Sequence, residues 1–546
     1  KGEDSMANTD IFLGSGASIT FIPENDLFIG VGLKSGGDAL DASAQSVIQM
    51  SSTMDADFEL IIDLYRGCIV ERYNTSDALQ STHRITSNSA NTITIMPSAL
   101  AASSDYFVIK SYGAPVPAPV DTAKRLLSDQ WLGVLETATF PSTEIETKQV
   151  NLSLGGSRNK TFQYKGITSF SGASLALVAN HGAWLYYFLG KCTSVVCSTD
   201  ALTTALSTDT HRQTLAHASA DNNKFLIRSM NATTAEVAAG DGATILGAIE
   251  TGPIFRRTVA NKLCPPIPPF EATDAQLDYY HSLDRPTGST TLTDTITYTF
   301  EEQDGDLLPS FALENSFSKL SGANQYRTGT DTNESLNFIK IARGNRVNTL
   351  TITANENEEV KITMDLNTKN VHSLQSDEVY DARRGVSDET TFTNYESTVN
   401  ADETREPFFF SDGTFKVLGN TFLKLNTLTL TMNNNLQDKR FFGVGGKDIQ
   451  EAIPAERTYE LQFTGLVTDD ALYTALLNDA EDVAQTIELT FTKSNGENIT
   501  LNFTDYFISA NNFPMSEDKG PIIVEATVMP RTMSLCTVKT HWVLQG

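Results

Sequence analysis

The chain has 546 residues, and its 67 acidic and 40 basic side chains give a formal charge of -27. At roughly 100–200 residues per domain, this length allows about three domains with well-filled cores. Tight nucleic-acid binding by counterion release needs clustered Lys and Arg, which the acidic balance opposes. We also find no secretory signal and no apolar run near the roughly 20 residues of a membrane span, which indicates a soluble chain or part of a soluble assembly.

Residues 1–120 predict a small all-β module. Short apolar runs with a period of two are separated by Gly, Asn, Ser and Asp, as expected for strands joined by turns. The predicted strands are Ser18–Ile22, Phe58–Leu64, Thr92–Met96 and Tyr106–Lys110.

Residues 121–285 predict a first β unit with one short helix. Apolar residues alternate with polar ones from Val150 to Leu154, at Phe162 and Tyr164, and from Ala173 to Leu177. An apolar segment of helix length, His181–Leu189, follows the last of these strands.

Residues 286–532 predict a second β unit. Its strands include 291–300, 310–314, 428–432 and 459–463, and its hairpins turn at Asn355–Glu359 and at Asn495–Gly496. Thr468 is a good N-cap for a predicted helix over 469–477. Because a strand followed by a short helix occurs in both units, a duplicated domain is one of two open alternatives, the other being two unrelated units.

Two further segments stand out. Residues Ser376–Arg405 are polar and acidic, which predicts a long exposed loop, and residues 533–546 predict a C-terminal arm. The five cysteines (Cys68, Cys192, Cys197, Cys264 and Cys536) show no metal-binding spacing. We expect structural thiols, with a Cys192–Cys197 bridge as the alternative. The tryptophans Trp131, Trp184 and Trp542 are expected to anchor a core or an interface.

No motif for catalysis, a cofactor or a metal emerges. Gly443–Asp448 lacks the Ser/Thr of a phosphate-binding loop, Gly14–Gly16 opens no dinucleotide motif, and Gln303–Asp306 lacks the remaining calcium ligands. All three predict turns. His211 and His217 lie close in sequence but without a zinc-protease motif. We therefore expect no enzyme, no cofactor and no metal site.

Five stretches together resemble the tail tube proteins of long-tailed phages. They are Leu307–Asn315, Asn345–Ile352, Leu428–Leu436, Ile453–Gly465 and the helix Asp469–Leu477. The resemblance spans about Trp131 to Pro530. The N-terminal module, with Tyr65–Ile69 and Asp105–Pro115, departs from the minimal tube pattern and is similar to an added exterior domain.

The resemblance implies an all-β fold with a few short helices, in which antiparallel β-sandwich or barrel domains form rings. Such rings are sixfold, or threefold when each chain carries two tube domains, and they stack into a virion tail through which DNA passes. It implies the chain itself and other tail proteins as partners, with no membrane. Ser376–Arg405 and Met533–Gly546 are candidates for bridging successive rings.

A conduit for DNA should repel phosphates, so carboxylates are expected on its inner wall. The acidic cluster Glu356, Glu358 and Glu359 is the predicted lumen-lining site, although acidic clusters such as this one and Asp479–Asp482 also occur as ordinary solvated faces. Two alternatives remain. One is another β-rich component, such as a baseplate, decoration or adhesion protein, and the other is a glycosidase-like enzyme with an acidic pair that no motif reveals.

Overall fold

The computed structural model describes residues 17–113, 135–150, 162–197, 258–263, 296–318, 337–374, 406–440, 449–466, 486–512 and 521–540, with short gaps inside several ranges. These residues confirm the expected all-β fold with little helix. The strands, in chain order, are β1 Ala17–Glu24, β2 Leu27–Leu33, β3 Gln45–Met50, β4 Ile69–Tyr73, β5 Leu79–Asn88, β6 Thr92–Ala99, β7 Tyr106–Lys110, β8 Leu135–Thr139, β9 Ser142–Val150, β10 Phe162–Ser171, β11 Ala173–Val178, β12 Gly190–Cys197, β13 Thr258–Val259, β14 Lys262–Leu263, β15 Ile296–Glu302, β16 Ser310–Ser318, β17 Asn337–Asn355, β18 Lys361–Asn367, β19 Asn370–Leu374, β20 Gly413–Val417, β21 Asn420–Thr421, β22 Leu425–Asn433, β23 Gln437–Lys439, β24 Glu451–Ile453, β25 Thr458–Leu466, β26 Ile487–Thr492, β27 Asn498–Asn512 and β28 Ile523–Thr540. The helices are α1 Leu185–Leu189 and a 3-10 turn Phe410–Asp412.

The N-terminal module contains a closed barrel. Its strands follow the order β2-β3-β6-β5-β4-β7, and β2 pairs with β7 to complete the circle. Because the barrel is closed, none of its strands has an unpaired edge. The small β module is therefore stabilised without strand pairing to its neighbours. The remaining strand of the module, β1, leaves the barrel and pairs along its full length with β16.

Eight neighbouring strands form what we call the wall sheet, in the order β27-β28-β25-β22-β17-β18-β11-β8. Three of these strands are long and contribute only part of their length: residues 346–355 of β17, 504–512 of β27 and 523–532 of β28. All pairings in the wall sheet are antiparallel.

The other halves of the long strands belong to two further layers. The back sheet consists of β20, β26, residues 498–503 of β27, residues 533–540 of β28, β15 and β12. The linking sheet consists of β1, β16, residues 337–345 of β17, and β19. Long strands that pass from one layer to another make the layers mechanically continuous.

One apolar core lies between the wall and back sheets. In the central wall strands every second side chain is buried, as in β22, where Leu428, Leu430 and Met432 alternate with threonines. Aromatic pairs join the two sheets: Phe415 contacts Phe463 with ring centroids 5.0 Å apart. Burial of one such large apolar side chain contributes about 1.5–3 kcal/mol, so this alternation holds the sandwich together.

The wall sheet contains the same strand arrangement twice. We number the strands of each block from first to fourth in chain order: β8, β11, β17 and β18 in one block, and β22, β25, β27 and β28 in the other. Across the sheet, both blocks have the spatial order first, second, fourth, third. The third strand of the first block, β17, pairs with the first strand of the second block, β22. The repeated order favours the duplication alternative, with its internal boundary between β19 and β20.

The expected boundary at 285/286 stays a prediction. Strand β18, expected in the second unit, pairs with β11 of the first unit, so strands of both expected units belong to one sheet. The reason is that antiparallel blocks are completed by strands distant in sequence, which alternation alone does not reveal. Of the expected C-terminal arm, residues 533–540 are the second half of β28 and pair with β27 and β15, and residues 541–546 lie outside the described residues.

Several local expectations agree with the structure. The predicted hairpins are β17–β18, which turns at Asn355–Glu359, and β26–β27, where Gly496 has a φ of +89°. The helix expected over His181–Leu189 is the shorter α1. The predictions for Gly14–Gly16, Phe58–Leu64, Trp131, His211, His217, Cys264, 376–405, Gly443–Asp448, 469–477, Asp479–Asp482 and Trp542 lie outside the described residues.

A bridge between Cys192 and Cys197 is excluded by the backbone. Both residues belong to the single strand β12. Five residues of extended strand span about 16 Å at roughly 3.3 Å per residue, whereas disulfide-linked Cα atoms lie within about 7 Å of each other.

Gly344 sits where β17 passes from the linking sheet to the wall sheet, with a φ of +64°. A Cβ atom there would lie 2.6 Å from Cβ of Lys369 and 3.0 Å from the Tyr112 ring. We therefore expect Gly344→Ala to lower the free energy of unfolding by about 3 kcal/mol, measured by urea denaturation.

The matched control is Gly36→Ala. Gly36 also has a positive φ, +106°, but nothing lies within 4 Å of the position that an added Cβ atom would take. This change should cost only the backbone strain of about 1 kcal/mol. Equal losses for the two variants would contradict the steric argument.

Candidate tube-forming surfaces

The outer face of the wall sheet is covered by threonine. Side chains that alternate with the buried core residues point outward, and cross-strand partners fall into rows, such as Thr363–Thr351–Thr431. The threonines of this face are Thr137, Thr139, Thr349, Thr351, Thr353, Thr363, Thr427, Thr429, Thr431, Thr458, Thr464 and Thr527. β-Branched residues suit a half-exposed sheet, and their hydroxyls give the face a polar, mostly neutral character.

The charges on this face are mainly acidic. The carboxylates are Glu136, Asp365, Glu460 and Glu525. Among the outward-facing side chains of the eight wall strands that the structure describes, Lys361 and Arg531 are the bases, and Nζ of Lys361 lies 2.9 Å from Glu136. The back sheet instead balances its charges in pairs, for example Lys416 with Glu488 at 2.8 Å. The wall face is thus the more acidic of the two.

The predicted site residues Glu356, Glu358 and Glu359 lie together at one end of the wall sheet, in the turn between β17 and β18. We call this the turn end. Glu356 and Glu358 are exposed, and Asn355 donates a hydrogen bond to Glu358 at 3.1 Å. The backbone of Glu358 accepts a hydrogen bond from the N–H of Phe410 at 3.1 Å. The three carboxylates therefore mark the end of the sheet and not its broad face.

Two strands of the wall sheet have a free edge. Strand β8 pairs only with β11, and residues 504–512 of β27 pair only with β28 among the residues described. These are a first strand and a third strand of the repeated block. The same two kinds of strand pair inside the chain where β17 meets β22. The two free edges are therefore complementary in type.

A hairpin that we call the arm, Ser142–Ser171, projects from the opposite end of the wall sheet, which we call the arm end. It consists of β9 and β10, which pair only with each other among the described strands. The arm prolongs the β8–β11 pair past a bend at Gly172, where φ is +76°. Residues 142–149 are all exposed, so both faces of β9 are bare.

A polar joint fastens the barrel to the sheets. Glu24 of β1 is buried and accepts hydrogen bonds from the backbone of Gly113 at 2.7 Å, the hydroxyl of Ser310 at 2.8 Å and the backbone of Gly344 at 2.9 Å. Burial raises the pKa of Glu24, and these hydrogen bonds oppose that rise.

Cationic side chains complete the joint. Lys369 donates to the backbone carbonyl of Tyr112 at 2.8 Å, and the guanidinium of Arg346 stacks 3.9 Å from the Tyr112 ring. At its edge, Arg84 of the barrel pairs with Glu451 of β24 at 2.9 Å. Four separate parts of the chain, at Ser310, Gly344–Arg346, Lys369 and Glu451, thus hold the barrel in one orientation.

A second buried polar cluster closes the turn end. Lys493 and Glu497, both almost fully buried, form an ion pair of 2.8 Å, and Lys493 also donates to the carbonyl of Asn180 at 2.6 Å. His181 lies beside this pair, and burial lowers its pKa from 6.5 to about 4. Nearby, Trp184 is buried and donates to the carbonyl of His181 at 2.6 Å, consistent with its expected core role.

Within the part of the chain that the structure describes, no group of His, Cys, Asp and Glu side chains is arranged to hold a metal ion. No described helix has the length and apolar character of a membrane span.

A family model described as phage tail tube protein matches residues 106–529. The chain belongs to this family. No curated protein sequence matches it significantly. The resemblance noted in the sequence is thereby confirmed, and the phage tail tube protein is a structural component of the virion tail.

The sequence predicted one functional feature of this tail tube protein, the acidic turn. It did not predict the wall face, the free edges or the arm. The alternating threonines of Thr349–Thr353 and Thr427–Thr431 were visible as the polar half of a strand pattern. Their alignment into one surface depends on strand order, which a single sequence does not contain.

The pKa of His181 predicts acid sensitivity of the tail tube protein. An unfolded histidine takes up its proton near pH 6.5, whereas the folded one does so only near pH 4. As pH falls through this window the unfolded state binds the proton first, so stability is lost, by up to about 3 kcal/mol. In His181→Asn, urea denaturation between pH 7 and 4 should show a shallower loss than in the unmodified protein. Identical pH profiles would contradict this assignment.

Proposed function

We propose that this protein is the tail tube subunit that forms rings of three copies, which stack into the conduit for the viral genome. One observation carries the proposal: the wall sheet repeats a four-strand block, and its free edges, β8 and residues 504–512 of β27, are the same kinds of strand that pair at the internal β17–β22 junction. Pairing β27 of one copy with β8 of the next would reproduce a contact that the chain already makes.

The repeat supports three copies rather than six. The resemblance implies sixfold rings for chains with one tube domain and threefold rings for chains with two. Because each chain supplies two equivalent blocks of four strands, three copies would supply six blocks. A closed ring satisfies every backbone hydrogen bond at the strand edges, which is a strong driving force for closure.

We further propose that the threonine face of the wall sheet lines the lumen. Hydroxyls offer DNA no charge to bind, and Asp365, Glu460 and Glu525 repel its phosphates, so DNA would pass without specific binding. The predicted lumen residues Glu356, Glu358 and Glu359 then belong to the mouth of each ring, at the turn end. The barrel, joined through Glu24, would lie outside, facing other tail proteins.

Ring closure is tested by cysteine cross-linking. Thr137→Cys on β8 is combined in turn with Phe507→Cys and Ser509→Cys on β27, and oxidised samples are separated by denaturing electrophoresis. Because paired strands bring Cα atoms within about 7 Å, one combination should give covalent products ending at three chains. The control combines Thr137→Cys with Leu79→Cys on the barrel, which should give none.

The result also decides the symmetry. Products that continue to six chains would replace the threefold ring with a sixfold one. Absence of products from both combinations, together with isolated monomers in negative-stain images, would contradict ring formation by these edges.

The lumen assignment predicts a gain of DNA retention. A triple variant Asp365→Lys, Glu460→Lys and Glu525→Lys should bind double-stranded DNA in a filter assay, with an affinity that falls steeply with salt, whereas the unmodified protein should not. The control carries Glu301→Lys and Glu488→Lys on the back sheet. Equal retention by both variants would argue that the wall face is not the surface that DNA passes.

A further inference from the structure

A pocket of about 230 Å³ opens at the turn end between the wall and back sheets. It is lined by Ala354, Phe410, Ser411, Gly413, Thr414, Phe415, Leu425, Leu428, Leu489 and Phe491. This volume is below the roughly 300–1,000 Å³ of small-molecule sites, so it suits a single large side chain.

The rim of the pocket is acidic. Glu358 accepts the N–H of the pocket residue Phe410 through its backbone carbonyl, and its own side chain is exposed. Asp412, two residues further along, accepts the N–H of Phe409 at 2.8 Å. An aromatic cavity with carboxylates at its mouth would accept an apolar or aromatic side chain accompanied by a base.

The arm presents such a pair. Tyr164 is 52% exposed, and Lys148 lies directly opposite it on the neighbouring strand, so both side chains share one face of the hairpin. Ile145 and Ile167, at 42% and 44% exposure, add to the apolar surface of the arm. Most residues of the hairpin are exposed, and a two-stranded hairpin is marginally stable in water, so a covering partner is expected.

The arm cannot reach the pocket of its own chain. It leaves the wall sheet beyond Ala173, which pairs with Leu366 at the arm end, whereas the pocket lies at the turn end, next to Ala354. Tyr164 stands eight residues past the bend at Gly172, about 26 Å away in the outward direction at roughly 3.3 Å per residue. A second copy placed head to tail would bring its turn end towards this tip.

We propose that Tyr164 of one copy inserts into the phenylalanine-lined pocket of the next copy along the tube, with Lys148 beside Glu358 and Asp412. This inference rests on the proposed function and names the contact between successive rings. A contact between two different surfaces of the same chain does not close on itself and so continues as a filament.

The test compares Tyr164→Ala with Leu79→Ala, a barrel residue of the same 52% exposure. Truncating a central aromatic anchor should raise the protein concentration at which tubes form at least tenfold, while negative-stain images still show single rings. Leu79→Ala should form tubes as the unmodified protein does. Normal stacking of Tyr164→Ala would overturn the inference and leave ring formation untouched.

Two further variants probe the pocket side. Thr414→Trp places a large ring at the exposed mouth and should also give rings without tubes, whereas Thr492→Trp on the same sheet, which does not line the pocket, should not. Lys148→Glu should weaken stacking, and the addition of Glu358→Lys should restore it. Failure of the double variant to recover while each single variant still folds would count against the charge pairing.

A failure of the proposed ring is distinguished by cross-linking. If the unmodified protein forms no rings, the proposed function fails, and a mixture of Tyr164→Cys and Thr414→Cys proteins still tests the contact. Oxidised products that require both variants support the Tyr164 contact, and their absence overturns it. Leu79→Cys replaces Tyr164→Cys in the control mixture.

Discussion

An open β-sheet ends in two strands whose outer N–H and C=O groups lack strand partners, and the rest of this structure is arranged around that constraint. The barrel removes the problem by closing on itself, with β2 paired to β7. The wall sheet does not close within one chain, because its two outer strands, β8 and residues 504–512 of β27, do not pair with each other. Its edges, β8 and part of β27, stay available to another chain, which links the fold directly to assembly.

The connections between layers explain why such an assembly could be rigid. Strands β17, β27 and β28 each pass from the wall sheet into a second layer, so covalent backbone crosses every interface. The joint at Glu24 fixes the barrel through directional hydrogen bonds to Gly344 and Gly113. Buried polar contacts contribute modest net stability, but a misaligned joint would leave the carboxylate unsatisfied, and this penalty favours one orientation.

Sequence patterns predicted local structure better than the pairing of distant strands. The alternation in β22 and the Asn495–Gly496 turn identified strands and a hairpin, since both depend on neighbours in the chain. The pairing of β11 with β18 could not be predicted, because these strand partners are separated by almost two hundred residues of sequence. Glu356, Glu358 and Glu359 were correctly predicted in a hairpin turn, but the sequence did not show which strands surround that end of the sheet.

The repeated strand order has a consequence for the outer surface of the proposed ring. Both four-strand blocks of a chain are alike in topology, yet the barrel is fastened beside one of them, where β1 pairs with β16 and Glu24 meets Gly344. The inner surface of the proposed ring would then have approximate sixfold symmetry, whereas its outer surface would have threefold symmetry. A single kind of subunit would then line the lumen with six similar blocks and carry only three barrels on the outer surface. Neighbouring barrels would be separated by twice the angle that they would have in a ring of six unduplicated subunits, each with its own barrel.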